Sequence, residues 1–193
     1  WVFTGDYKIE NDGVAQPYEP IKCDTFITEC TFGLPAFKWQ PQKEVFAEIN
    51  NWWQQNKEAG KVSVIAGYSL GKAQRILQNL DTGIGRIFTH GAVENTNEVL
   101  RQQGISLPET TLVTPEHKKA DFKGGIVVCP PSAIGSLWIK KFSPYVTAFC
   151  CGWMTLRGAR RRRAADRGFV LSDHADWNGL NEAVKATGAE NVY

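Results

Sequence analysis

Gly67-Tyr68-Ser69-Leu70-Gly71 is a G-x-S-x-G pentapeptide between an apolar run and a helical pattern. That is the setting of a nucleophile elbow, where a strained turn lifts a serine hydroxyl above a sheet. A serine hydrolase also needs an acid and a histidine at that hydroxyl, and Asp81, His90, Asp173 and His174 all lie downstream. Against it, Asp173 and His174 are sequence neighbours, whose side chains diverge, and no HGGG-like oxyanion segment precedes Gly67. The plainer reading of Ser69 is a small residue that permits a tight turn and close helix packing. The same stretch falls short of a phosphate loop, because Ala73 follows Lys72 where a hydroxyl would be needed for magnesium. Lys72 or Arg75, near the start of the following helix, could still meet a phosphate. A solvated helix face is the alternative for both.

The histidines divide by context. His117, in Glu116-His117-Lys118-Lys119, reads as exposed and inert, and His90, between an apolar run and a helix, as structural. His174 ends another apolar run amid Ser172, Asp173, Asp176 and Trp177. Strand ends of open α/β sheets are where sites gather, so His174 is the functional candidate. Asp6, in Thr4-Gly5-Asp6-Tyr7, and Glu29, in Thr28-Glu29-Cys30, also follow apolar runs directly. Carboxylates there can coordinate a cation or hold a histidine in one tautomer, although each alone would serve equally as a cap or turn residue. Taken with His174, they point to a metal-assisted hydrolytic site.

A basic cluster follows. Arg157, Arg160, Arg161, Arg162, Arg163 and Arg167 crowd together. Guanidiniums in a row bind nucleic-acid phosphates through bidentate, salt-sensitive contacts; a solvated basic loop or a set of internal ion pairs is the alternative. Trp138, Phe149 and Trp153 could stack on bases or fill a core.

These residues need a scaffold, and the pattern supplies one. Val45, Ile49 and Trp52 form one apolar row and Phe46 and Trp53 a second, predicting a helix over Gln42 to Glu58. Strands are predicted over 1–4, 25–28, 62–66, 86–89, 111–113, 125–129, 145–150 and 168–172, with another beginning at Asn191. Helical patterns lie between many of them, one carrying Leu70, Ala73, Leu77 and Leu80 on a single face, and another running through Leu180, Ala183, Val184 and Thr187. This alternation predicts an α/β fold of mainly parallel sheet. The 22 basic and 20 acidic side chains leave net charge uninformative, and five cysteines without a C-x-x-C fit reduced thiols in a cytoplasmic protein. No apolar stretch reaches the ~18 residues of a membrane span.

The ordered set TGDYK, FITECTFG, YSLGKAQ, VVCPPSA, GWMTLRGARRRR and VLSDHADW resembles the β-CASP branch of the metallo-β-lactamase fold. Within it, the set is most similar to bacterial ligase-associated DNA exonucleases, also labelled RNA 3′-end processing exonucleases. The resemblance implies a metallo-β-lactamase αββα portion at residues 1–38 and 169–193, with a Rossmann-like β-CASP domain inserted at 39–168. It implies two divalent metals, zinc or manganese, bridged by Asp6. Glu29 would be the motif A acid and His174 the motif B histidine that protonates the leaving oxygen or binds the scissile phosphate. Ser172 would touch a phosphate oxygen, with Lys72, Arg157, Arg160, Arg161 and Arg162 as further nucleic-acid contacts. DNA is favoured over RNA, and a DNA ligase and helicase system are the implied partners. The family's H-x-H-x-D-H motif is absent, and the chain ends where a third motif would begin. The expectation is a piece of a longer nuclease that is inactive by itself, or in practice a non-catalytic nucleic-acid-binding piece.

Overall fold

Two all-parallel sheets carry the chain, which the computed structural model describes over residues 1–158 and 165–193. The smaller is built from β1 (Val2–Phe3), β2 (Thr25–Ile27) and β9 (Asn191–Val192), with β2 in the middle. The larger contains β3 (Val62–Ala66), β4 (Ile87–Thr89), β5 (Thr111–Leu112), β6 (Ile126–Cys129), β7 (Tyr145–Cys150) and β8 (Arg167–Phe169). Its order is β5-β4-β6-β3-β7-β8. The predicted α/β class with parallel sheet is what the chain adopts.

Both faces of the larger sheet are covered, which is why its strands are nearly continuous apolar runs. Val62, Val64 and Ala66 of β3 enter one core cluster and Ile65 the other, and Val127 and Cys129 of β6 are divided from Ile126 and Val128 in the same way. One face is packed by α1 (Gln42–Glu58), α2 (Lys72–Gln78) and α3 (Gly91–Gln102), through Val45, Ile49, Trp53, Ile76, Leu77 and Val93. Among the described residues, the opposite face is packed by short 3-10 turns, which contribute Phe122, Ile139, Phe142 and Met154. A last helix, α4 (Trp177–Thr187), starts at Asp176, whose carboxylate accepts from Gly179 N at 2.8 Å. Among the described residues, no helix is long and apolar enough to cross a membrane.

Two elements depart from the pattern by more than one residue at an end. Leu70 does not join its predicted helical face: it is 69% exposed, and the helix begins only at Lys72, after Gly71 turns the chain with φ of 81°. The strand predicted to run to Ser172 stops at Phe169. Beyond it the backbone groups find partners outside the ladder, Leu171 N donating to Phe169 O and the Ser172 carbonyl accepting from Arg75.

Because all strands of a sheet run the same way, every loop that follows a strand leaves from one edge. The turn into α2 after β3 and the loop bearing His174 after β8 share that edge of the larger sheet. Asp6 and Glu29 follow paired strands of the smaller one, in the register Phe3↔Ile27.

Candidate active site

The smaller sheet presents its two acids side by side. Beyond β1, Thr4 N donates to Ile27 O at 2.9 Å, and Thr4 Oγ1 accepts from Glu29 N at 3.2 Å. Glu29 is then fixed by two main-chain donors, Tyr7 N to Oε1 at 3.4 Å and Thr31 N to Oε2 at 3.2 Å. Its side chain is 7% exposed, whereas that of Asp6 is 73% exposed. Glu29 is therefore an internal partner, and Asp6 is open to an outside group.

His174 arrives from the larger sheet. Its Nδ1 lies 3.2 and 3.1 Å from the two Glu29 oxygens and 3.8 Å from Asp6 Oδ1. A carboxylate on Nδ1 favours the tautomer protonated there, which leaves Nε2 to exchange a proton. The ring meets the edge of Phe32 with centroids 5.7 Å apart. Phe32 is itself packed among Phe37, Trp39 and Trp153. Gly152 lets this aromatic group close up, since a Cβ there would stand 2.6 Å from Phe32 Cζ. The main chain around His174 is tied on both sides: its N donates to Ser172 Oγ at 3.0 Å, its carbonyl accepts from Trp39 Nε1 at 2.9 Å, and Ala175 N donates to Tyr7 O.

Asp6, Glu29 and His174 each offer a ligand atom within 4.8 Å of the others. Zinc sites take four ligands, and catalytic ones commonly three from the protein plus water. Here the Glu29 carboxylate and His174 Nδ1 already satisfy each other, so Asp6 is the donor left facing outward. The described residues therefore fit as part of a metal shell and do not complete one.

The other candidates are distributed unevenly. Ser172 is buried, and its hydroxyl holds the His174 main chain. Lys72 and Arg75 are not on a solvated face: each side chain is 4% exposed, with Lys72 Nζ 3.0 Å from Asp173 Oδ2. Burial pulls the Arg75 pKa below the ordinary guanidinium value against the opposing charge of Asp173. Arg157 is exposed. Arg160, Arg161, Arg162 and Arg163 lie outside the described residues, and Arg167 pairs with Glu48 at 3.3 Å and covers the Phe169 ring.

Ser69 is no elbow nucleophile. Among the described residues only glycines have positive φ, and no histidine is hydrogen-bonded to its hydroxyl. His90 caps α3 through Nδ1, which accepts from Ala92 N at 3.1 Å, and its ring packs on Trp138. His117 is half-buried against Phe88 and Phe122 and bonded to Thr114, contrary to the exposed reading. Of the aromatics considered for stacking, Phe149 is core and Trp153 is 42% exposed. Sequence reasoning missed Asp173 as the partner of α2, and Trp39 and Phe32 as the walls of the histidine.

Fold and site together define an α/β protein of parallel sheets whose strand-end loops converge on a carboxylate–histidine cluster. No protein-family model matches the chain. It is 31% identical over 191 residues to a protein of Opitutus terrae described as a "probable DNA ligase". That match takes in 99% of this chain and 18% of the relative, so the chain spans less than a fifth of the protein it resembles.

Proposed function

We propose that this chain is part of a DNA-processing protein and supplies one side of a metal-dependent phosphodiesterase site, exonucleolytic in the whole protein. The observation that carries this reading is the meeting of Asp6, Glu29 and His174, residues from distant parts of the chain, at hydrogen-bonding or near-ligand distance. The description of the relative as a DNA ligase supports DNA as the substrate class. The ordered motifs support the β-CASP branch of the metallo-β-lactamase fold, with residues 39–168 as the inserted domain.

Asp6 is the residue of this chain suited to holding a divalent metal, zinc or manganese. When bound, a metal pair supplies Lewis acidity toward the phosphate and an activated water. Glu29 holds the Nδ1 proton and sets the ring plane, and His174 delivers a proton from Nε2 to the leaving 3′ or 5′ oxygen. Proton delivery of this kind contributes roughly 10²–10⁴-fold. Arg157, with Arg160, Arg161 and Arg162, would bind the flanking phosphates.

The test uses the whole protein with metal supplied and labelled DNA as substrate. Asp6→Ala is expected to abolish hydrolysis and lower the bound-metal count. His174→Ala is expected to cut turnover at least about 100-fold while DNA affinity holds. Full activity in Asp6→Ala, or collapse of binding alone in His174→Ala, would overturn these roles. A second reading, a nucleic-acid-binding piece without catalysis, is favoured by the incomplete metal shell of the described residues. It predicts that this chain by itself retains no divalent metal; metal retained by the chain alone would overturn it.

A further inference from the structure

The residue immediately before His174 is held from the far side of the site. Asp173 receives Lys72 Nζ at 3.0 Å and Arg75 Nη1 at 3.7 Å, both from α2. Arg75 Nη1 also donates to the Ser172 carbonyl at 2.6 Å, and its Nε donates to Gln42 Oε1 at 3.1 Å, at the start of α1. Two cations with 4% exposed side chains thus grip the two residues that lead into the histidine, while Glu29 grips its ring from the smaller sheet.

Stability does not account for this arrangement. Burying an ammonium and a guanidinium costs several kcal/mol per ion even after relaxation, and well-packed apolar side chains in such places are often as stable or more so. Asp173, itself 32% exposed, is the carboxylate within ion-pair distance of both cations, and Asp12 and Glu10 act on Arg75 from farther off. Direct contact with a nucleic-acid phosphate does not account for it either, because the Lys72 ammonium is turned inward onto Asp173 and lies 4.9 Å from the Tyr68 ring centroid. What the pair does fix is the path of the backbone at residues 172 and 173.

We propose that Lys72 and Arg75 are positioning residues that clamp Asp173 and the Ser172 carbonyl and so aim the His174 ring at Glu29. The helix that follows the central strand of the larger sheet thereby controls a side chain whose partner belongs to the smaller one. The proposal rests on the reading of His174 as the proton donor. Its physical basis is the sensitivity of such steps to aim, a misplacement of about 1 Å costing up to about 100-fold in rate.

The decisive variants are Lys72→Met and Lys72→Arg in the whole protein. Lys72→Met leaves Asp173 with Arg75 and partial access to water, so the fold is expected to survive. On DNA its kcat is expected to fall at least about tenfold, with KM and DNA affinity within about threefold of wild type. Lys72→Arg is expected to recover most of the loss. Weakened DNA affinity with kcat preserved would assign Lys72 to phosphate binding and overturn the proposal. Unchanged kcat would overturn it as well.

An activity-independent readout is the nitrogen spectrum of histidine-labelled protein. In Lys72→Met the His174 signals are expected to shift or broaden while those of His90 and His117 stay in place. Unmoved His174 signals would sink the clamp even in an inactive protein, whereas an inactive wild type with responsive His174 signals would sink only the nuclease reading. Should Lys72→Met fail to fold, Gln42→Ala removes the support of Arg75 Nε and is read in the same way.

Discussion

Glu29 and Asp6 carry the same functional group and are put to different uses by their surroundings. Glu29 accepts from two main-chain N–H groups and faces His174 Nδ1, while Asp6 stands mostly in solvent. Glu29→Gln keeps the shape and one acceptor oxygen but removes the charge that faces His174 Nδ1. It is expected to lower DNA hydrolysis by the whole protein about 10–100-fold with metal content unchanged; a variant as active as wild type would leave Glu29 a structural role only. These acids and the histidine stood out as candidates because each is a polar residue a short way past an apolar run: Asp6 three residues after β1, Glu29 two after β2 and His174 five after β8. Lys72 and Asp173 were not. Nothing local marks their pairing, since only the parallel return of the chain brings α2 beside the loop after β8. His117 misled for the same reason, its lysine neighbours hiding the Phe88 and Phe122 rings it packs against.

At the scale of elements, α3 is locked to its sheet by a buried acid. Glu94 accepts from Thr89, Asn97, Arg101 and Thr110, tying the helix to β4 and to the chain leading into β5. Burial alone would push its carboxyl up, but these hydrogen bonds outweigh it and hold the folded pKa below the ordinary value. The sign follows: the stabilisation is complete above the unfolded carboxyl's pKa and is lost as pH falls through the depressed folded one. Glu94→Gln is expected to cost roughly 1–3 kcal/mol near neutral pH, and the deficit should shrink in acid, as urea titrations at about pH 7 and about pH 3 would show. The elements themselves were legible where periodicity was long or alternation clean. Helix α1 runs over Gln42–Glu58 as its two apolar rows predict, and β3 and β7 match their apolar runs. Legibility failed at Leu70 and at residues 170–172, where a glycine turn and side-chain capture of a carbonyl override local pattern.

For the molecule as a whole, the two faces of the larger sheet can be probed by thiols. Cys129 belongs to one core cluster and Cys150 to the other, and burial pushes both thiols up to about 12. Cys30 is exposed. Brief labelling of the native protein is expected to modify Cys30 and spare both buried thiols, which should react only on global unfolding; separate rates for Cys129 and Cys150 would mean that the faces open independently. The strand order also dictates when the molecule can close. Strand β3, at the heart of the larger sheet, has β6 and β7 as neighbours, both far later in the chain, and β2 is flanked by β1 and β9 from opposite ends. Contacts so distant in sequence make for slow folding. On the ribosome, β3 must therefore wait for residue 150 before it is flanked on both sides, and β2 for Val192. The histidine's partner acid consequently sits on a sheet that is among the last parts of this chain to assemble.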